Sequence, residues 1–552
     1  MNKTFKKILA ISLTCALALG LTACDQSQKT PEDTNGGGDS TGGADISFAE
    51  GTAPPIDSNA PTGHLIYLTY ETNFTDASEV MLSKFETQYG GTIEVSLTGS
   101  GNEYFEKLGT MVSTGSSPDL VRYEWRSFPH AMSYNVYTPL DDYIDANSDL
   151  WKDIKDVADQ FMYNGKHYYF PYQLKTNFGL NYNAIVFQEA NLTDPMELLE
   201  KNQWTWSAFE QLLTDWCNKD SNHIGYNGVG GMPFTLTTGK KIVDVNNDSI
   251  TCNLKDQDVT RCMQWLEKLH KNGLAGVTEA QNTETGHTNG YEAPEAAFVD
   301  GNLLFLGMDP SWTYPAAKEA LDKKGIDNEM KFVPYPRDDN SDTYYHGIDT
   351  FGYLIPSGAP NVKGAVDWIT LLRTEEIDPE NIAKAKEEAL DDTPIYKTKC
   401  ANKECGDTSE NADKNGRHIY TKEEDEAGVI ECPVCGTPRE EKYKVVWDSK
   451  VYDLFMELRS TDGRFTMLFD NCYGFNDDVT KMFQTGETPL LDGPVFGDFS
   501  YTQIVEQNSN TVEAYLDEYR ELMKQNASGN LATMPVGTDA PAGTTAAAGT
   551  TA

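Results

Sequence analysis

Apolar and polar positions alternate most clearly near residue 64. His64-Leu-Ile-Tyr-Leu-Thr-Tyr70 reads as a short strand, and residues 92–97 alternate as a strand does. Between them Met81, Phe85 and Tyr89 fall on one helical face. A second helix is expected from about 103 to 112, then the turn Thr114-Gly-Ser-Ser-Pro118 and the strand Asp119-Leu-Val-Arg-Tyr123. Strand, helix, strand, helix, strand at this spacing predicts a parallel sheet and an α/β fold. Such sheets hold ligands beyond the carboxyl ends of their strands. The positions to read are therefore Tyr70 and Glu71 after the first strand, and Glu124, Trp125 and Arg126 after the third. Further on, Ala365, Trp368, Ile369 and Leu372 share a helical face, and Val512, Leu516, Tyr519 and Met523 are spaced as a core stripe.

Outside the body, residues 61–526, the pattern disappears. Residues 25–60 are rich in Gly, Ser, Thr, Asp and Pro and read as a flexible linker, about 30–36 Å in root-mean-square span. Residues 527–552 are Ala, Gly and Thr-rich and read as a disordered tail. Ahead of the linker, Lys3, Lys6 and Lys7 precede an uncharged run of about 14 residues, the layout of a secretory signal over 1–23 and too short to span a bilayer. Leu21-Thr22-Ala23-Cys24 resembles a bacterial lipobox, which implies a lipid-modified Cys24 and an extracytoplasmic protein held to the outer face of the membrane.

The 552 residues carry 44 Lys plus Arg against 85 Asp plus Glu, a net −41. This excess argues against nucleic acid as a partner. Cys15 leaves with the signal, while Cys217, Cys252, Cys262 and Cys472 are an even set that permits two disulfides or four thiols.

The remaining four cysteines form a pattern of their own. Cys400-x4-Cys405 and Cys432-x2-Cys435 are two knuckles separated by polar, charged sequence, and Glu431-Cys-Pro-Val-Cys-Gly436 resembles the knuckle of zinc ribbons and rubredoxins. Four thiolates suit tetrahedral Zn2+, and iron as well; metal binding would supply the folding energy of so polar a segment. Two disulfides are the alternative in an oxidising exterior. Asp244-Val-Asn-Asn-Asp248 lacks the Gly and Glu of a calcium loop and reads as a hairpin turn. No phosphate loop, nucleophile elbow or zinc-protease helix motif is present.

Several segments, in order, resemble one family. Phe105-Glu-Lys-Leu108, Thr114-Gly-Ser-Ser-Pro-Asp-Leu-Val121 and Val136-Tyr-Thr-Pro-Leu-Asp-Asp-Tyr-Ile144 are similar to the first lobe of the family 1 extracellular solute-binding proteins, the receptors of bacterial ABC importers. Asn164-Gly-Lys-His-Tyr-Tyr-Phe-Pro171, Leu180-Asn-Tyr-Asn-Ala-Ile-Val-Phe187 and Trp204-Thr-Trp-Ser-Ala-Phe209 resemble the crossing into the second lobe and its next helix. The stretch from Phe298 to Trp312 resembles the second crossing, and Phe332-Val-Pro-Tyr-Pro336 with Gly352-Tyr-Leu-Ile-Pro356 the return.

The resemblance implies a two-lobed, type II periplasmic-binding-protein-like fold. Lobe 1 would comprise 61–175 and 305–372, lobe 2 would comprise 176–304 and 373–526, and 398–442 would be a four-cysteine insertion in lobe 2. It implies a receptor without catalysis that captures a sugar or oligosaccharide between the lobes for an ABC permease. Carried over by position, the solute contacts would be Tyr70, Glu71, Trp125, Arg126 and Trp312, with Tyr172, Gln173, Tyr226, Phe234 and Tyr473 as further candidates. Core packing is the other reading of each aromatic. The stretch Pro171-Tyr-Gln-Leu-Lys-Thr-Asn177 lacks the carboxylate that some sugar binders of the family carry there, so peptides, polyols and other polar solutes stay open. A surface hydrolase acting on glycans, or a metal or redox lipoprotein built on the ribbon, are the alternatives.

Overall fold

The computed structural model describes residues 63–289, 296–485, 489–497 and 499–529. The leader, Cys24, the linker and the tail from 530 lie outside them. In chain order, the first elements that build and position the site are β1 (Gly63–Thr69), α1 (Glu79–Tyr89), β2 (Gly91–Leu97), α2 (Asn102–Ser113), β3 (Leu120–Arg122), β4 (Gln173–Thr176) and β5 (Gly179–Asn183). Next come α3 (Trp206–Cys217), β6 (Ile224–Gly228), β7 (Val243–Asn246), β8 (Ser249–Cys252), α4 (Gln257–Lys271), β9 (Leu303–Met308), α5 (Pro310–Lys324) and β10 (Met330–Val333). Then follow β11 (Tyr344–Phe351), β12 (Tyr353–Leu354), α6 (Val362–Glu376), α7 (Pro379–Leu390), β13 (Ile395–Tyr396), β14 (Glu441–Lys442), α8 (Ser449–Glu457), β15 (Phe465–Leu468), α9 (Asp477–Thr480) and α10 (Tyr501–Ala527).

Three sheets carry the body. The first has the order β12-β3-β1-β2, with β1 parallel to both β2 and β3 and β12 antiparallel at the edge. Its helices take the expected faces: Met81 and Phe85 of α1 are buried, as are Ala365, Trp368, Ile369 and Leu372 of α6. Asp119 fixes the join between them, since Oδ2 accepts from Ile66 N–H at 2.8 Å and Oδ1 from Asn361 N–H at 2.8 Å, just before α6. The second sheet has the order β10-β5-β9-β6. Between them β15-β11-β4 forms a smaller sheet, with β11 antiparallel to β4 and parallel to β15. The fold is thus two-lobed α/β, with strands of the small sheet connecting the lobes.

Two expected boundaries are corrected. The division at 305 falls inside β9, and β9, α5 and β10 all belong to the second sheet; the chain rejoins the first only at β12. Every residue of β9 is buried, so it has no alternation to reveal which sheet it joins. The C-terminal helix α10 also serves both lobes: Arg520 Nε donates to Ile250 O at 2.8 Å, while Tyr519 Oη lies 2.7 Å from His130 Nδ1. Its stripe of Val512, Leu516, Tyr519 and Met523 is buried as expected.

Residues 244–248 form the end of β7 and the hairpin turn Asn247-Asp248 into β8, with Asn247 in the left-handed region at φ 43°. Cys217, Cys252, Cys262 and Cys472 are free thiols, so no disulfide joins them.

Candidate functional site

The loops after β1 and β3 converge on one buried cation. Arg122, the last residue of β3, is 9% exposed, and its Nη1 is ion-paired with Glu71. Its Nε lies 3.9 Å from Glu124, whose carboxylate also accepts from the Tyr70 hydroxyl. Tyr104 Oη donates to the Arg122 carbonyl at 2.7 Å and fixes the end of the strand. Burial pushes the Glu124 carboxyl up, opposed by Arg122 and the Tyr70 hydrogen bond. Burial and the neighbouring Glu124 also push the Tyr70 hydroxyl well above its ordinary value. Burial opposes the charge on Arg122, but Glu71 and Glu124 outweigh it and hold the guanidinium ionised. One cation between two carboxylates leaves an excess of acceptors, a surface suited to hydroxyl donors.

Beside this cluster, half-buried Trp125 and Tyr473 have ring centroids 5.3 Å apart at 41°. Phe469 lies 5.8 Å from Trp125 on the same segment as Tyr473. Arg126 is otherwise engaged: its Nη1 meets Asp477 Oδ1 at 2.6 Å and Asn102 Oδ1 at 2.5 Å.

The small sheet supplies the next layer. Lys175 of β4 and Asp349 of β11 are register partners. Lys175 is buried, with Nζ 4.2 Å from the centroid of Phe351. Tyr172 is buried nearby, its ring roughly parallel to Phe351 at 6.5 Å and to Tyr353 at 6.1 Å. Gln173 Nε2 donates to Glu376 at 2.7 Å.

On the second lobe, Asp309 caps α5. Its Oδ1 accepts from Ser311 N–H at 2.9 Å and from the Thr176 hydroxyl at 3.1 Å. Burial pushes this carboxyl up, with Lys175 the main opposing charge. Trp312 follows on α5, and its indole N–H is buried without a hydrogen-bond partner among the described residues.

The structure therefore groups Tyr70, Glu71, Trp125 and Tyr473, which the sequence singled out, at the strand ends of the first lobe. Trp312 stands beyond β9 on the second, and Tyr172 and Gln173 lie buried in and beside β4. Two candidates are corrected: Tyr226 and Phe234 are fully buried second-lobe core, with Tyr226 Oη donating to the Val229 carbonyl, and neither offers a surface to a ligand. Arg122, Lys175, Asp309 and Asp349 were missed. Their signal was present, since a charge inside an apolar strand, as in Leu-Val-Arg122 and Gln-Leu-Lys175, needs a partner or a use.

The four-cysteine segment is a separate unit. Cys400, Cys405 and Cys432 are buried with Tyr420 in a small cluster of their own, with Cys435 and Val429 packed against it. All four sulfurs lie within 4.8 Å of one another, with Cys400–Cys435 at 3.5 Å and Cys405–Cys432 at 3.6 Å. A tetrahedron with metal–sulfur bonds of about 2.3 Å places its sulfurs about 3.8 Å apart, so the four thiols fit one metal ion. Around them Arg417 Nε donates to Cys400 O at 2.8 Å, and buried His418 lies between Asp407 at 2.7 Å and Glu424 at 3.1 Å. The neck β13–β14 joins the unit to the second lobe, with Tyr443 Oη donating to Asp322 of α5 at 2.8 Å.

No helix among the described residues is long and apolar enough to cross a membrane. A search of curated protein sequences finds no match. Among solved structures, the chain is similar to an ABC substrate-binding protein of Listeria monocytogenes in complex with cycloalternan. That pair shares 15% identity over 84% of this chain and 99% of that one, with a TM-score of 0.46. The GacH receptor of Streptomyces glaucescens, known unliganded and with acarbose, matches at 15% over 85% and 98%, with a TM-score of 0.44. RafE of Streptococcus pneumoniae matches at 17% over 86% and 99%, with a TM-score of 0.45. The profile described as bacterial extracellular solute-binding protein matches residues 81–385. That match covers more than half of the chain, from α1 to α7, and the protein belongs to the bacterial extracellular solute-binding proteins.

Proposed function

We propose that the chain is a lipid-anchored receptor, tethered through Cys24, that takes up a sugar or oligosaccharide between its lobes and hands it to an ABC permease. The observation that carries this reading is the pairing of half-buried aromatic faces, Trp125 and Tyr473, with the acceptor-rich cluster of Glu71, Glu124 and Arg122. Aromatic faces cover the apolar faces of a sugar ring while carboxylates take its hydroxyls, and a few convergent polar groups give specificity. Trp312, beyond β9 on the second lobe, would close on the solute from the other side. Closure of two lobes around a hinge brings such walls together. Nothing in this arrangement requires a covalent step.

The four cysteines are assigned to a structural Zn2+. Cys400, Cys405, Cys432 and Cys435 complete its coordination and leave no open position, so the metal supplies folding energy and no reaction.

A thermal-shift screen against mono- and oligosaccharides, with amino acids, peptides and polyamines beside them, tests the reading. A ligand at 100 times its Kd stabilises the bound form by about 2.7 kcal/mol, a shift of a few degrees. A sugar-induced shift that Trp125→Ala and Trp312→Ala abolish supports it. Response to non-sugars alone changes the solute class, and release of reducing sugar by the purified protein overturns the receptor reading in favour of a hydrolase.

A further inference from the structure

Lys175 has a charge that the fold does not neutralise by contact. It is 5% exposed in β4, a strand connecting the lobes, and among the described residues its Nζ makes no hydrogen bond or ion pair. Asp349 is its partner in the strand register, yet the ammonium lies over the Phe351 ring instead. A buried ammonium without an acceptor is costly.

Its surroundings repeat the pattern. Asn177 Nδ2, Ser311 Oγ and Trp312 Nε1 are each buried without a partner among the described residues. Asn177 lies two residues beyond Lys175, and the intervening Thr176 donates to the Asp309 carboxylate that caps α5, the helix in which Ser311 and Trp312 follow Pro310. The N-terminus of this 15-residue helix adds its own partial positive charge. Burial drives the Asp309 carboxyl up, opposed chiefly by the charge of Lys175, with which it makes no ion pair. The acids gather instead on the first lobe's side: Glu71 and Glu124 hold Arg122, and Asp349 acts on Glu124 and Tyr123.

We infer that the solute carries an anionic group, a carboxylate on a sugar, and that Lys175 selects it. The inference rests on the saccharide reading above. The solute carboxylate pairs with Nζ and takes the neutral donors of Asn177 and Trp312, while its hydroxyls face Glu71, Glu124 and Asp349.

The test is isothermal titration of the purified full chain with di- and trisaccharides of galacturonic, glucuronic and mannuronic acid, against the matching neutral hexose oligosaccharides and sugar phosphates. It is run at low and high salt, in the wild type, Lys175→Met and Lys175→Gln. The expected result is a uronate bound about tenfold or more tighter than its neutral counterpart, weakening with salt, with the preference lost in both variants. Should a variant fail to fold, the wild-type ratio and its salt dependence still decide. Neutral sugars bound as well as uronates, and unaffected by either substitution, overturn the inference and leave the saccharide reading intact. Sugar phosphates bound in place of uronates overturn the carboxylate. Binding of no saccharide overturns both readings.

Discussion

Asp477 receives Arg126 at 2.6 Å, Oδ1 to Nη1, and its second oxygen accepts from Asn102 Nδ2 at 2.9 Å. Arg126 and Asn102 follow β3 and open α2 in the first lobe; Asp477 opens α9, far along the chain. The contact ties the C-terminal segment carrying Tyr473 to the first lobe, beside the aromatic pair proposed to hold the solute. Arg126 thus has a structural occupation, and its nearness to the site does not make it a ligand contact.

Arg126→Ala and Asp477→Ala are therefore expected to act through the same interaction. Side-chain exposures of 18% and 42% leave the pair partly screened, and a double-mutant cycle in urea should give a coupling below about 1 kcal/mol. Affinity for whichever solute the screen identifies should change alike in both variants. An Arg126→Ala variant that loses solute more than about tenfold while Asp477→Ala retains it would return Arg126 to the site.

Arg122 stands differently. It is 10% exposed at its side chain, against 15% and 27% for Glu71 and Glu124. Arg122→Met leaves two carboxylates facing each other without a cation, and removal of one partner from a buried ionic group costs about 3–5 kcal/mol. Urea unfolding should show this loss, and Glu71→Gln added to Arg122→Met should recover part of it. A loss below about 1 kcal/mol would mean that water already reaches the cluster.

How much of this was legible depends on whether a residue's local pattern matched its tertiary role. The parallel core β1-α1-β2-α2-β3 follows from alternation and helical spacing, and Tyr70, Glu71 and Trp125 follow from their position past its strand ends. The expected lobe boundary at 305 cuts through β9, because a strand buried on both faces has no alternation to read. Arg126 looks like a ligand contact from position alone; only the distant Asp477 shows its partner. Tyr226 and Phe234 show the same limit from the other side, since aromatic content does not distinguish a wall from a core. Lys175 lies in a stretch read only for its missing carboxylate, and its lack of an ion-pair partner among the described residues shows once β11 brings Asp349 into register without pairing it.

His346 of β11 gives the fold a defined acid sensitivity. It is 2% exposed, its Nε2 has no hydrogen-bond partner among the described residues, and burial lowers its pKa to about 4. The unfolded chain binds this proton near pH 6.5 and the folded chain does not, so its contribution is complete above that value and is lost as pH falls toward 4. The full window corresponds to on the order of 3 kcal/mol. The slope of unfolding free energy against pH between 6.5 and 4 should flatten in His346→Gln. An unchanged slope would show that the ring is protonated in the folded chain.

Removal of metal should separate the two units. The ribbon's cluster of Cys400, Cys405, Tyr420 and Cys432 is distinct from the core of the body, and the connection runs through β13–β14, Tyr443–Asp322 and the Lys444–Asp391 ion pair at 2.9 Å. Four thiolates held together without a cation repel one another, so a chelator should unfold residues 398–442 while the lobes keep their melting transition. Hydrogen exchange should report lost protection at the Cys400 N–H, bonded to His418 O, and at the Cys432 N–H, bonded to Thr437 O, with β1 and β9 unaffected. Deleting 398–442 then tests what the unit is for: solute affinity should be kept, and reduced transport would place its role at the permease. If chelation instead melts the lobes together with the ribbon, the segment is part of the second lobe's core and the separation drawn from the two clusters is wrong.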